Sequence, residues 1–281
     1  MRSIKYLSLF SGIGGFELGI HQACSDLGSH RRQATNAAAL SGARPVALSG
    51  GNDPTAVCVG YSEINRYALQ VYQRHFPNHP CLGDITRIDP ETLPDFDLLC
   101  GGFPCQSFSN AGHRAGFEDP RGALFFEIAR IIASKQPRHL LLENVKGFLS
   151  HDHGRTAKRC FETLDDLGYD CEWQVLNSKD FGLPQNRERI FIVGHSRACS
   201  RSQVFPFLRS VQSCPKTGRE AELGQPADCR IRRLTPLECE RVQGFPDGWT
   251  EGLSGNQRYH CIGNAVSPEV IRQICARLFV S

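Results

Sequence analysis

The chain has 281 residues, 40% hydrophobic and 22% charged, which is ordinary for a globular protein with its own core. No apolar run is long enough to span a membrane and no signal peptide is recognisable, so we expect a cytoplasmic protein without a membrane partner. The formal charge is only +3, and the thirteen cysteines include no Cys-x-x-Cys pair, which argues against a zinc site or a disulfide framework.

Residues 1–194 alternate short apolar runs with helical patterns, which predicts an α/β domain with a mostly parallel sheet flanked by helices. The predicted strands are Lys5–Leu9, Val57–Ser62, Phe96–Cys100, His139–Glu143, Tyr169–Asn177 and Ile190–Gly194. The predicted helices lie near Gly15–Cys24, Arg66–His75, Gly122–Ser134 and Arg155–Leu167. The last two strands follow each other closely, which predicts an antiparallel hairpin.

Two stretches interrupt this alternation. Residues 25–56 are rich in Ala, Gly and Ser without a clear period, which predicts a flexible surface insertion. We predict a small second lobe in residues 195–254. It begins with an irregular segment that contains eight Arg or Lys residues but only three acidic residues. Its positive charge suits phosphate binding, although a solvated loop would look the same.

The regular pattern then returns. Thr235-Pro-Leu-Glu238 is a capping box with proline at the first helical position, so a helix should begin there. Ser267-Pro268 opens another helix that should run to about Phe279. We predict that residues 255–281 return to the first domain.

A glycine-rich turn connects the first strand to the first helix. Gly12, Gly14 and Gly15 would let the backbone pass close to a ligand at the carboxyl end of the strand, although a tight turn alone would select the same residues. Their spacing differs from Gly-x-Gly-x-x-Gly, which disfavours a nicotinamide enzyme. Glu63 and Asp84 also follow strands, where carboxylates bind ribose hydroxyls, and together they favour a bound adenosine over ordinary surface acids.

Cys105 lies in a loop that is suited to nucleophilic chemistry. The predicted strand ends at Cys100, two glycines turn the chain, and Pro104 stiffens the approach to Cys105. Cys100 should point into the sheet, whereas the Cys105 thiol should lie at the ligand edge. A thiol near cationic or N–H groups can have its pKa lowered and become a nucleophile. Most of the thirteen cysteines, by contrast, should serve packing.

Three charged residues complete the candidate site. Glu143 ends a buried strand and could hold a proton for a ring nitrogen, although a capping or salt-bridged glutamate is the commoner case. Arg187 and Arg189 share one side of an extended segment, where they could face a base, a phosphate or a carboxylate. His151 and His153 have no third ligand at useful spacing, so no metal site is expected.

In their order along the chain, these segments resemble the motifs of the bacterial cytosine-5 DNA methyltransferase family. Phe-Ser-Gly-Ile-Gly-Gly, Pro-Cys-Gln, Glu-Asn-Val, Gln-x-Arg-x-Arg, Gln-Gly-Phe-Pro-Asp and Ile-Gly-Asn-Ala-Val are highly specific as a set. The matching segments are Phe10–Gly15, Glu63, Asp84, Gly102–Ser109, Glu143–Val145, Gln185–Arg189, Arg233–Asp247 and Gln257–Val266. The resemblance implies a Rossmann-like class I methyltransferase fold with residues 1–194 as the catalytic and cofactor-binding domain.

The resemblance also implies the roles of individual residues. Cys105 would add to C6 of a flipped-out cytosine in double-stranded DNA, Glu143 would contact N3 and the amino group, and Arg189 would hold O2. Arg187 would support the same pocket. S-Adenosylmethionine, with S-adenosylhomocysteine as its product, would be surrounded by Phe10, Gly12, Ile13, Gly15, Glu63, Ile64, Asp84, Ile85, Leu124, Asn264 and Ala265.

The chain departs from the family pattern in its target-recognition region. Only 38 residues separate Gly194 from Arg233, and they contain no convincing counterpart of the family's recognition-loop threonine motif. An active enzyme with a reduced recognition lobe is the leading hypothesis, in a restriction-modification system with a companion restriction endonuclease. The alternatives are a cofactor-binding chain that is inactive or needs a separate recognition subunit, and a cytosine-5 RNA methyltransferase.

Overall fold

The computed structural model describes residues 3–40, 55–104, 123–199, 203–207 and 233–280. Its seven strands are β1 Ile4–Leu9, β2 Ala56–Ser62, β3 Cys81–Gly83, β4 Leu98–Gly102, β5 His139–Val145, β6 Tyr169–Asn177 and β7 Glu188–Ser196. Its seven α-helices are α1 Gly15–Leu40, α2 Arg66–His75, α3 Ala123–Lys135, α4 Arg155–Asp166, α5 Pro236–Gln243, α6 Gly255–Asn264 and α7 Pro268–Leu278.

The strands form one sheet in the order β3-β2-β1-β4-β5-β7-β6. β1 pairs in parallel with both β2 and β4, and β5 pairs in parallel with β4. β7 runs antiparallel to both β5 and β6, which confirms the predicted hairpin and the predicted mostly parallel sheet. Because the strand order reverses beside β1, the carboxyl ends of β1, β2, β4 and β5 border one crevice, which is the usual ligand site of such sheets.

Apolar side chains cover both faces of the sheet. On one face, Phe16 and Ile20 of α1 and Ile271 of α7 are buried against strand residues. On the other face, α3 and α4 contribute buried residues such as Ile128 and Leu164. The near-continuous apolar runs of β4 and β5 follow from this arrangement, since central strands covered on both faces have no solvent side.

The expectation of a loop from residue 25 was wrong for residues 25–40, which continue α1 without a break. The physical reason lies in the composition: alanine, which makes the stretch look featureless, is the residue most favourable to a helix. The expected flexibility of the insertion stays a prediction, and residues 41–54 lie outside the described part. Even this 26-residue helix is not apolar enough to cross a membrane, and no other described helix is a candidate.

The described parts of the predicted second lobe pack against the first domain. The Glu172 carboxylate of β6 accepts a hydrogen bond from the Val204 amide at 2.8 Å, and Arg277 of α7 donates to the Val204 carbonyl at 2.8 Å. Trp249 donates its indole N–H to the Ile13 carbonyl at 2.8 Å and is buried. A lobe in residues 208–232 stays a prediction, because they lie outside the described part.

The capping box at Thr235 and the helix from Pro268 are confirmed. Two of the described strands and α-helices had not been predicted. β3 has only three residues, and α6 begins at a second capping box formed by Ser254 and Gln257. β3 is too short for an alternating pattern, and only its pairing with β2 identifies it as a strand.

Candidate active site

The turn after β1 has a strained backbone at the edge of the sheet. Phe10 has φ +53° and Gly12 has φ +56°, both in the left-handed region. That conformation costs a residue with a side chain on the order of 1 kcal/mol or more and is found most often at functional sites. A Cβ atom at Gly12 would have no neighbour within 4 Å among the described atoms, so this backbone faces open space.

The neighbouring glycines allow close packing around the turn. A Cβ at Gly14 would lie 2.5 Å from the Phe76 ring, and a Cβ at Gly15 would lie 2.6 Å from the Val266 carbonyl oxygen. The absence of side chains at these two positions therefore serves the packing of α1 against the rest of the protein. A Cβ atom would meet open space at Gly12 alone of these three glycines, and a contact between Gly15 and a ligand stays a prediction.

Glu63 connects the ends of β1 and β2. Its Oε2 accepts a hydrogen bond from the Gly12 amide at 2.9 Å, and its Oε1 accepts from the amides of Ile64 at 2.8 Å and Asn65 at 2.7 Å. Three backbone donors hold the carboxylate rigidly at the crevice. Ile64, beside this carboxylate, is 74% exposed.

Asp84 follows β3, the next strand along the same edge. Its Oδ1 accepts a hydrogen bond from the Thr86 amide at 3.0 Å, and the hydrogen bonds from Thr86 lower the pKa of Asp84. Asp84 therefore caps the short helical turn Ile85–Arg87. This capping also fixes an ionised acceptor beside the crevice, where it remains partly exposed.

The remaining predicted cofactor residues differ in what they can offer a ligand. Ile13 and Ile85 are buried in apolar clusters, so Ile13 could contact a ligand chiefly through its backbone. Phe10 and Leu124 are partly buried at the edge of the core. Asn264 is exposed at the end of α6, with its amide nitrogen 3.4 Å from the His260 ring.

β4 ends in two glycines that allow a close approach. A Cβ at Gly101 would lie 2.6 Å from the Leu9 carbonyl oxygen, and a Cβ at Gly102 would lie 2.9 Å from Oε2 of Glu143. Neither position can hold a side chain without displacing its neighbour. Gly102 thus makes room for the carboxylate that the next strand presents to the same edge.

Glu143 forms an ion pair within this edge. Its Oε1 lies 3.1 Å from Nε of Arg189, and both side chains are largely buried. Burial raises the pKa of Glu143, whereas the positive charges of Arg189 and then Arg187 lower it in part. The carboxyl group therefore binds a proton more readily than an exposed glutamate does, as a group that shares a proton with a ring nitrogen requires.

Arg187 is directed to a different partner. Its Nη2 donates to the Ala265 carbonyl at 2.8 Å, and its backbone amide donates to Oδ1 of Asn177 at 3.0 Å. Burial, and then the charge of Arg189, lower the pKa of Arg187 to about 10. Arg187 remains cationic at neutral pH, and its charge acts on Glu143 without a direct ion pair to it.

The buried side chain of Asn144 holds the start of the loop that leads to Cys105. Its Nδ2 donates to the Phe103 carbonyl at 3.1 Å, and its Oδ1 accepts from the Val145 amide at 2.8 Å. Cys105 itself lies outside the described residues, so its position stays a prediction. Cys100 is fully buried with its Sγ 3.6 Å from the Leu7 carbonyl oxygen, as the strand pattern predicted.

The structure adds residues that the sequence reasoning did not assign. Asn144 and Gln243 belong to the quoted motifs Glu-Asn-Val and Gln-Gly-Phe-Pro-Asp, so their identity was visible although their contacts were not. Asn177 ends β6 and carried no signal of its own. In the described part of the chain, no three His, Cys, Asp or Glu residues form a group that could hold a metal ion.

Comparison with known proteins gives these features a context. The family model for C-5 cytosine-specific DNA methylases matches residues 4–214 and 200–279. Type II methyltransferase M.NgoBI of Neisseria gonorrhoeae is 36% identical over 98% of this chain and 94% of its own length. Type II methyltransferase M1.ScrFI of Lactococcus lactis subsp. cremoris is 33% identical over 98% of this chain and 77% of its own length.

A third relative covers the chain differently. Type II methyltransferase M.NlaIV of Neisseria lactamica is 44% identical, but over 69% of this chain and 42% of its own length. Among solved structures, the DNMT2 mutant of Spodoptera frugiperda superposes with a TM-score of 0.68 at 19% identity, covering 99% of this chain and 100% of that one. S. pombe Dnmt2 superposes with a TM-score of 0.65 at 20% identity, covering 99% of this chain and 98% of that one. These structural similarities establish the fold alone.

Proposed function

Because this chain belongs to the C-5 cytosine-specific DNA methylase family, we propose that it methylates carbon 5 of a flipped-out cytosine in double-stranded DNA. The observation that carries the proposal is the buried pair of Glu143 and Arg189 beside the end of β4. The motif that contains Cys105 follows that strand directly. A nucleophile, a proton-holding carboxyl group and a guanidinium are the three groups that cytosine C5 chemistry requires of the protein.

Each of these residues has one task in the reaction. The Cys105 thiolate adds to C6 and forms a carbon–sulfur bond, while Glu143 supplies a proton to N3 and so neutralises the ring. Carbon 5 then acts as an enamine nucleophile and takes the methyl group. Loss of the C5 proton and departure of the Cys105 thiolate restore the aromatic ring, and N3 returns its proton to the Glu143 carboxylate. The net products are therefore 5-methylcytosine, the demethylated cofactor and the proton that left C5.

Arg189 and Arg187 hold the base in this pocket. A guanidinium presents several donors in a fixed plane, which suits the O2 acceptor of cytosine. Arg189 already contacts Glu143 at 3.1 Å, so one arginine can orient both the acid and the base. Arg187 is anchored on Ala265 and contributes positive charge to the same pocket. Such contacts offset the cost of about a few kcal/mol for unstacking a base from duplex DNA.

S-Adenosylmethionine is the methyl donor that the family and fold imply, and it supplies an electrophilic methyl group when bound. The residues at the crevice fit it. Glu63, held by three amides, has acceptor capacity left for ribose hydroxyls, and the exposed Ile64 offers an apolar surface for the adenine ring. Asp84 is an ionised acceptor farther along the edge. Gly12 leaves the β1 turn open for the remainder of the ligand.

DNA recognition and partners rest on similarity. The named relatives are type II methyltransferases, which supports double-stranded DNA as the substrate and a companion restriction endonuclease as a partner of the system. The short segment between Gly194 and Arg233 suits contacts to phosphates, which position DNA without reading its sequence. A separate recognition subunit is the alternative arrangement.

The proposal is tested by trapping the covalent intermediate. The purified chain is incubated with labelled S-adenosylmethionine and 5-fluorocytosine-containing DNA. The Cys105 adduct is released only when C5 loses a proton, and because fluorine replaces that proton in 5-fluorocytosine, the adduct should persist. We expect a labelled, denaturation-resistant complex with DNA that requires the cofactor. The same reaction with 5-fluorocytosine-containing tRNA tests the RNA alternative.

Two controls make the result specific. Cys105→Ser should abolish the adduct, whereas Cys81→Ser, which changes an exposed cysteine on β3, should leave it unchanged. Cofactor binding by the chain without formation of an adduct on DNA would contradict methyltransferase activity of the chain alone. An adduct that persists in Cys105→Ser would contradict the assignment of the nucleophile.

A further inference from the structure

The Ala265 carbonyl lies between two regions with different proposed tasks. It accepts one hydrogen bond from Nη2 of Arg187 at 2.8 Å and a second from Nε2 of Gln243 at 2.8 Å. Both donor–acceptor distances are within the normal range for hydrogen bonds. The two side chains come from segments more than fifty residues apart in sequence, and both donate to this oxygen atom.

Gln243 is buried and is held by two hydrogen bonds. It is fully buried at the end of α5, its side chain donates to Ala265, and its own carbonyl accepts from the Ser267 hydroxyl at 2.9 Å. A buried glutamine that is not held by such contacts would cost on the order of 1–3 kcal/mol. Gln243 thus contacts the connection between α6 and α7 on both sides of Val266, and only its side-chain bond involves the Ala265 carbonyl.

That connection carries a proposed cofactor residue. Asn264 is the last residue of α6 and is exposed, and Ala265 follows it directly. The rigid peptide unit between these two residues ends at the Cα atom of Ala265, and its N–H donates to the Ile262 carbonyl at 3.2 Å. Only the two backbone torsions of Ala265 separate this unit from the Ala265 carbonyl, so we expect movement of Asn264 on a ligand to shift that carbonyl. The same carbonyl anchors Arg187, whose charge acts on Glu143 in the proposed cytosine pocket.

Each of the two side chains that donate to the Ala265 carbonyl has another polar atom without a hydrogen-bond partner. Among the described residues, Nε of Arg187 and Oε1 of Gln243 are buried without a hydrogen-bond partner. One is a donor and the other an acceptor, on two side chains that already share the Ala265 carbonyl. Unpaired buried polar atoms are expensive, so a small rearrangement that satisfies them is favourable.

From this geometry we infer that Gln243 is a positioning residue that links the cofactor segment to the cytosine pocket through the Ala265 carbonyl. The inference rests on the proposed function and deepens it: cofactor and DNA should bind cooperatively, and Gln243 should transmit part of that cooperativity. Gln243 touches neither ligand in this arrangement. Its removal should therefore weaken the coupling between the two ligands and leave the affinity for the cofactor alone largely intact.

The experiment measures this coupling directly. Calorimetry gives the Kd of S-adenosylhomocysteine for the full chain, without DNA and with a plasmid fragment on which the wild-type chain forms 5-methylcytosine. The ratio of the two constants is the coupling factor, and a factor of about five or more is typical of linked sites. In Gln243→Met, which preserves length and volume, we expect the factor to fall towards one. The Kd without DNA should change by less than about twofold, a minor effect on the scale of such linkage.

Two further variants separate positioning from folding. Ser267→Ala removes the other side-chain hydrogen bond at the same connection without touching the Ala265 carbonyl, so its coupling factor should match that of the wild type. Gln243→Asn retains the donor on a shorter side chain and should give an intermediate factor, which tests the link even if Gln243→Met folds poorly. Thermal unfolding of each variant shows whether it is folded at the temperature of the titration.

The outcomes distinguish the inference from the function on which it rests. Absence of 5-methylcytosine from every DNA offered to the wild-type chain contradicts the proposed function, and with it the link. Methylation by the wild type with an unchanged coupling factor in both Gln243 variants contradicts the link alone. An equal loss of S-adenosylhomocysteine affinity with and without DNA also contradicts it, because it indicates an effect on cofactor binding itself.

Discussion

Arg189 reaches Glu143 diagonally across the antiparallel pair of β5 and β7, with 3.1 Å between Nε and Oε1. In register, Arg189 is opposite Val145, two residues beyond Glu143, so both side chains are on the same face of the sheet. Because β7 is antiparallel to β5, its first residues lie beside the carboxyl end of β5, where the proposed pocket lies. A parallel strand at that position would begin at the opposite edge.

Replacement of Glu143 tests its role as the proton-holding group. Glu143→Gln preserves size and an acceptor for Arg189 but removes the exchangeable carboxyl proton. We expect the rate of methyl transfer to DNA to fall by about 10²- to 10⁴-fold, with little change in S-adenosylhomocysteine binding. Initial rates with labelled cofactor provide the measurement. Glu162→Gln on α4, an exposed residue paired with Lys158, is the matched control, and equal rates in both variants would contradict the role.

Gly102 tests how tightly the pocket is built. A Cβ at this position would lie 2.9 Å from Oε2 of Glu143, closer than normal contacts allow. We expect Gly102→Ala to displace the carboxylate from Arg189 and to reduce the rate of adduct formation with 5-fluorocytosine DNA. Gly255→Ala, where a Cβ meets nothing within 4 Å, should leave that rate unchanged. Wild-type adduct formation in Gly102→Ala would show that the contact is not important for the reaction.

Asn144 tests the support of the loop before the proposed nucleophile. Asn144→Ala removes the hydrogen bond to the Phe103 carbonyl, which precedes Cys105 by two residues. Because poor orientation affects the chemical step most, we expect slower adduct formation and an unchanged Kd for S-adenosylhomocysteine. Single-turnover trapping separates the two quantities. The exposed Asn78→Ala is the control, and a loss confined to cofactor affinity would argue against this positioning role.

Glu63 tests the proposed cofactor site. Glu63→Gln removes the charge that three backbone amides and, in our proposal, ribose hydroxyls share. A hydrogen bond to a charged group contributes about 2 kcal/mol, so the Kd of S-adenosylhomocysteine should rise by about thirtyfold. The control Asp89→Asn changes a similar capping carboxylate on a short turn after β3. The Kd of S-adenosylhomocysteine for this variant should equal that for the wild type. Equal constants for Glu63→Gln and the wild type would place the cofactor elsewhere.

Glu17 tests the effect of pH on stability. It is fully buried on α1, its Oε1 accepts a hydrogen bond from the Tyr72 hydroxyl at 2.9 Å, and burial raises its pKa from 4.5 to about 7. The folded state then binds a proton more tightly than the unfolded state. The contribution of protonated Glu17 to the free energy of unfolding is therefore lost as pH rises from about 4.5 to about 7.

Glu17→Gln should remove that dependence, because the amide stays neutral at every pH. Relative to the wild type, the variant should gain stability between pH 5 and pH 8 by about 3 kcal/mol, an order-of-magnitude figure from the pKa difference. Urea unfolding at the two pH values gives the comparison. The exposed Glu251→Gln should follow the wild type at both. If the difference in free energy of unfolding between Glu17→Gln and the wild type is the same at both pH values, the proposed rise in the pKa of Glu17 is contradicted.

Much of this protein can be predicted from local patterns in its sequence. Apolar runs and helical periods identify six of the seven described strands, and capping residues at Thr235 and Ser267 place α5 and α7. Glu63, Asp84 and Glu143 were expected at one sheet edge, because the carboxyl ends of parallel strands meet there. The ordered motifs point to the family, and the family model covers nearly the whole chain.

The tertiary structure alone decided which groups touch. It assigned Gly14 and Gly15 to packing, and it paired Arg189 with Glu143 while Arg187 went to the Ala265 carbonyl beside Gln243. These contacts join residues tens to hundreds of positions apart. Periodicity, capping and turn chemistry act over a few neighbouring residues, whereas such contacts depend on strand order, register and the packing of helices on the sheet, which the whole chain determines together.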